Sequence, residues 1–191
     1  MTPDTFLSEI VGPNMEAAFN RGDDMRAIVN AVLTLDALVE LIHAHAEAAG
    51  RPEIAACEDD DAYREVLAEI SPSYWILRDT AACLKHGELK RPRKGLVRLL
   101  RQPGAMETEV STLGFFECGD EIGGDVILIR YDHNGSPGLV RANRVTTDTY
   151  RMLKRIVEGG AARTDEHDGG TFAVMGGPPR REVGRRPSGT R

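Results

Sequence analysis

The sequence predicts an α+β protein, with an N-terminal bundle of about four helices, a small three-stranded antiparallel meander and a C-terminal helix. Three observations predict it. Apolar residues recur at three-and-four spacing as far as His86, β-branched and aromatic residues dominate between glycine-bearing turns from about Thr108, and helical spacing returns after Thr147.

After a short amphipathic start, residues 24–48 read as one long helix, with Asp23 or Asp24 as cap and Gly50-Arg51-Pro52 as the stop. Its apolar stripe runs through Met25, Ile28, Val29, Val32, Val39, Ile42 and Ala46. The acidic run Glu58-Asp59-Asp60-Asp61 suits the amino end of a second helix through Tyr63, Val66, Leu67 and Ile70, which Ser71-Pro72 ends. Ser73 is then the expected cap of a Tyr74–His86 helix, with Gly87 as its left-handed carboxyl cap. The segments LGFFECG, DVILIRYD and GLVRANRV read as the three strands. Asn134-Gly135 favours a turn between the last two, in a loop lengthened by Ser-Pro-Gly. Thr147 caps the final helix through Tyr150, Met152, Leu153, Ile156 and Val157. The glycine-, proline- and arginine-rich residues 159–191 read as a disordered tail. Residues 1–158 are therefore expected to form a single domain. It divides into a helical part (1–90), a basic connector (90–104) and a β-rich part with the last helix (105–158).

Charge is unevenly spread over the 191 residues, whose formal net charge is -6. Residues 1–84 hold 16 acidic against 5 basic side chains, whereas 85–101 hold seven basic residues against Glu88 alone. This argues against wholesale coating of nucleic acid and marks one short segment that an anionic partner would meet first. Cys57, Cys83 and Cys118 lack Cys-x-x-Cys spacing, and the amino terminus lacks a basic start followed by an apolar run. A reducing cytoplasmic location is expected. No uninterrupted apolar run reaches about 18 residues, so no membrane partner is expected either.

The polar residues of two helices form the candidate site. Projection places Arg78, Asp79, Lys85 and His86 on one side of the Tyr74–His86 helix, and sets Asp36 and His43 inside the apolar stripe of the long helix. A carboxylate turned toward a core must find a partner, so an Asp36–Arg78 or Asp36–His86 contact across the helix pair is expected. Such a network fixes helix register and needs no catalysis. The same groups suit acid/base work on phosphodiesters: His86 would shuttle a proton, Arg78 would stabilise phosphate charge, and Asp79 or Asp36 would orient the imidazole.

RDTAACLKHG resembles the Arg-Asp-x-Ala-x-x-x-Lys-His-Gly helix of a family of uncharacterised bacterial and phage-associated proteins. In that family helices precede a small β-rich segment and a last helix, and the likeness covers residues 20–158. More distantly, the helical half is similar to HEPN domains, small helical modules that often dimerise and include metal-independent ribonucleases. The HEPN motif pairs an Arg with a His after four to six intervening residues; here Arg78 and Asp79 match its start, and seven residues separate Arg78 from His86. The resemblance implies a homodimer or protein partner, and RNA as a ligand.

Other motifs imply no metal and no cofactor. Glu40-Leu-Ile-His43 is one half of a di-iron motif without its second copy, and Gly119-Asp-Glu-Ile-Gly-Gly lacks the lysine of a phosphate loop. Lys85, Lys90, Arg91, Arg93 and Lys94 could follow a phosphate backbone, or could be counter-charge to the acidic helical half. The function expected is thus a non-enzymatic helical interaction module, the alternative being a HEPN-like RNA-binding protein or ribonuclease using Arg78 and His86.

Overall fold

The computed structural model describes residues 1–89, 99–100, 103–110, 124–133 and 135–160. Among them the order is helices, then a three-stranded antiparallel sheet, then a last helix.

The amphipathic start is helical from α1 (Pro3–Phe6) through a π-helical turn, Leu7–Val11, into α2 (Gly12–Asn20). Pro13 has no N–H to donate and its ring crowds the preceding turn, which the wider π geometry accommodates. Asp24 caps α3 (Met25–Ala44), its carboxylate accepting from the Arg26 and Ala27 amides. The helix ends four residues earlier than its pattern predicts, and the chain then turns through Gly50, at φ +66°. The short α4 (Pro52–Ala55) leads to α5 (Asp60–Ile70), whose amino end is capped by Asp59.

The boundary before α6 (Pro72–His86) differs from the expected one. Ser71, not Ser73, is the cap: its amide donates to Leu67 O at the end of α5 and its hydroxyl accepts from the Tyr74 amide at 3.1 Å. Pro72 occupies the first helical position, where a missing N–H costs nothing. Gly87 has the expected positive φ, 71°.

The meander is β1 (Met106–Val110), β2 (Asp125–His133) and β3 (Ser136–Arg141), in the order β1-β2-β3. Three expectations change here. The first strand lies at METEV, and LGFFECG falls outside the described residues. The Ser-Pro-Gly of the expected loop is strand, because only residues 134 and 135 separate β2 from β3. Pro137 is tolerated there since β3 is an edge. Third, ANRV belongs to α7 (Ala142–Val157), which starts after Arg141 rather than at Thr147. The expected tail lies beyond the described residues, except for Gly159 and Gly160.

One continuous core joins helices and sheet. Ile28, Leu35 and Val39 of α3, Leu67 of α5, Ile76 and Leu77 of α6, Ile127 and Ile129 of β2, and Val145, Leu153 and Ile156 of α7 all belong to it. Helix α3 is its axis, packing against α2, α5, α6 and α7. By length and composition α3 could cross a membrane, yet half of its apolar span is buried inside this core. Val66, expected on the apolar face of α5, is 46% exposed, because that face is made by Tyr63, Arg64, Leu67 and Ala68. Arg51 fastens the far end of α7, donating to Ile156 O at 2.9 Å and Gly160 O at 3.0 Å while its Nε holds Glu53.

Tyr131 faces Gly138 across the β2–β3 ladder, and its ring occupies the place where a side chain at 138 would begin. Gly138→Ala is expected to displace this buried ring and lower stability by about 1–3 kcal/mol, as read by urea denaturation. Tyr131→Ala, which vacates the space, should abolish the further loss on adding Gly138→Ala.

Candidate functional site

The polar side of α6 is not a solvent face. Arg78 is only 5% exposed and Asp79 is 0% exposed, because α3, α5 and α7 pack around α6 and the Leu99-Leu100 segment lies against it. Asp79 Oδ1 accepts from Arg78 Nε at 3.1 Å and Nη2 at 3.0 Å; Oδ2 accepts from the Leu99 amide at 2.6 Å. Leu99 O in turn accepts from the Asp132 amide of β2 at 2.9 Å. One carboxylate thus links α6, through the backbone of the single residue Leu99, to the central strand. The third guanidinium nitrogen, Arg78 Nη1, lies 2.8 Å from the Glu65 carboxylate of α5.

Asp36 forms a second network. Buried in α3 at 5% exposure, it accepts from Lys85 Nζ at 2.6 Å and from Arg64 Nε at 3.3 Å, and Arg64 Nη2 also reaches its backbone carbonyl. Arg64 pairs with Asp60 one turn earlier on α5. The partners of Asp36 are therefore Arg64 and Lys85, and the expected Asp36–Arg78 and Asp36–His86 contacts do not form. Arg78 is occupied by Asp79 and Glu65, and His86 is exposed at the end of α6 with no hydrogen bond among the described residues.

These placements separate the predicted site residues. Arg78 and Asp79 are together and buried; Lys85 and His86 are at the surface, His86 about 12 Å along the helix axis from Arg78. Lys90, Arg91, Arg93 and Lys94 fall outside the described residues. His43 stacks on Tyr63 with its Nε2 at 3.2 Å from Cys57 O, a packing arrangement, and no group of three or more acidic, His or Cys side chains could hold a metal among the described residues.

Arg64 is the residue that sequence reasoning missed. A signal existed: it stands three residues before Leu67 and four before Ala68, on the buried face of α5 and one turn after Asp60. The Tyr74 hydroxyl lies near the same charges, and neither it nor the Tyr63 hydroxyl has a hydrogen-bond partner among the described residues. The chain matches no family model, no curated protein and no solved structure.

Asp79→Asn removes the charge that neutralises buried Arg78 and is expected to cost about 3–5 kcal/mol, while Lys85→Ala, losing a half-exposed partner of a carboxylate that keeps Arg64, should cost less than about 1 kcal/mol. Chemical denaturation of the two variants beside the parent tests this order.

Burial pushes the phenols of Tyr63 and Tyr74 up, and for Tyr74 the Asp36 carboxylate adds to the shift. The folded chain keeps both neutral at a pH where the unfolded chain loses their protons. Their contribution is therefore complete below about pH 10 and is lost as pH rises above it. Phenolate absorbance of these two should appear only together with the loss of helical circular dichroism. Normal ionisation of all four tyrosines in a chain that stays helical would contradict it.

Proposed function

We propose that this chain is a non-enzymatic helical interaction module in which Asp36, Arg78 and Asp79 hold the fold together. The observation that carries this reading is the full commitment of Asp79: both its oxygens are taken, and it is closed to solvent. A carboxylate so placed cannot orient an imidazole seven residues farther along the helix. Arg78 is likewise turned into the packing rather than toward a substrate. An interaction module asks only for a rigid body with presentable helix faces, which the two networks supply by fixing three helices in register. A reducing cytoplasmic location accompanies this reading, in keeping with the free thiol at Cys57.

The HEPN-like alternative, an RNA-binding protein or metal-independent ribonuclease, draws on one observation. His86 is exposed beside Lys85, so its imidazole is open to a phosphodiester, and Arg78 would then have to be supplied by rearrangement or by a second copy.

The two readings part in one experiment: purified protein incubated with mixed cellular RNA, with and without chelator, beside Arg78→Ala and His86→Ala variants checked by circular dichroism. The module reading expects no cleavage, a large loss of stability for Arg78→Ala and almost none for His86→Ala. Chelator-resistant cleavage that a folded His86→Ala variant lacks would overturn it in favour of the ribonuclease.

A further inference from the structure

Helix α3 is enclosed on every side but one. The open side carries Arg26, Leu33 and Glu40, spaced seven residues apart, so that successive members are rotated by only about 20° and separated by about 10.5 Å along the axis. Leu33 is half-buried at the centre. Arg26 has an 81% exposed side chain whose ion pair with Asp24 is a long 3.8 Å, and Glu40 is exposed with no ion pair among the described residues.

This arrangement is its own complement. A two-fold axis through Leu33 that runs a second α3 antiparallel to the first brings Leu33 against its copy. It also places each Arg26 opposite the Glu40 of the partner, and Val29 opposite Ala37, a small residue that lets the helices approach. No other pairing of the strip satisfies both charges at once. A parallel alignment would set Arg26 against Arg26 and Glu40 against Glu40.

We infer that the exposed strip of α3 binds a second copy of this chain, in antiparallel contact centred on Leu33 and registered by two reciprocal Arg26–Glu40 pairs. The inference rests on the interaction-module reading and names its partner. The contact is one helix wide, so it belongs to the small interfaces that associate weakly and respond to concentration.

Light scattering on size-exclusion fractions over a concentration series tests it. Wild type should rise from monomer to twice that mass. Arg26→Glu and Glu40→Arg should each stay monomeric at the concentration where wild type is dimeric. An equimolar mixture of the two variants should regain the doubled mass, because every facing pair is then again of opposite sign. Both side chains are exposed, so folding should be retained, and circular dichroism checks it. Leu33→Asn, which keeps the charges and removes the apolar centre, should shift the transition to at least tenfold higher concentration. A wild type that remains monomeric throughout, or single variants that dimerise as well as wild type, overturns the self-pairing. Neither result bears on RNA cleavage, so failure of the dimer and failure of the non-enzymatic reading are read separately.

Discussion

The bond between the Asp79 carboxylate and the Leu99 amide joins the two halves of the molecule. A fully buried carboxylate must be neutralised and hydrogen-bonded, and Asp79 meets both demands with neighbours on different parts of the chain. Its charge is balanced by Arg78 beside it, and its free oxygen captures a peptide group that would otherwise be buried without a partner. The carbonyl of that same residue continues to β2. Helix bundle and sheet are therefore held in relative position by a directional contact, where apolar packing alone would allow sliding.

The Asp36 network acts within the bundle as Asp79 acts between its layers. Arg64 from α5 and Lys85 from α6 converge on one carboxylate of α3, which sets the rotation of all three helices about their axes. Two buried carboxylates, Asp36 and Asp79, thus hold three cations, Arg64, Arg78 and Lys85. Among the described residues, His86 at the end of α6 and Arg26 and Glu40 on the open strip of α3 are exposed and lie outside both networks.

Much of this architecture was legible in the sequence. The three long helices followed from apolar spacing, and Asp24, Gly87 and Gly135 mark boundaries where side-chain caps or positive φ act locally. Strand limits were harder because β3 and α7 abut without a turn: Arg141 is the last strand residue and Ala142 the first helical one. Thr147 looked like a cap and lies inside the helix, since a hydroxyl can also be accommodated in a helix interior. The site was half legible. A buried Asp36 demanded a cation, but helix periodicity cannot say which of several arginines reaches it. Arg64 is chosen by the crossing of α3 and α5, a tertiary fact.

The clamp that Arg51 places on the last turn of α7 spans 105 residues of sequence. At a synthesis rate of about 5–20 residues per second, roughly 5–20 seconds separate the appearance of Arg51 from that of its acceptor. During that interval α3 has no α7 to cover it, and its apolar flank faces water. The nascent chain therefore passes through a stage in which its most water-averse helix is shielded only by its earlier neighbours. Among the described elements, closure of the core around α3 waits for α7, the last of them to be made.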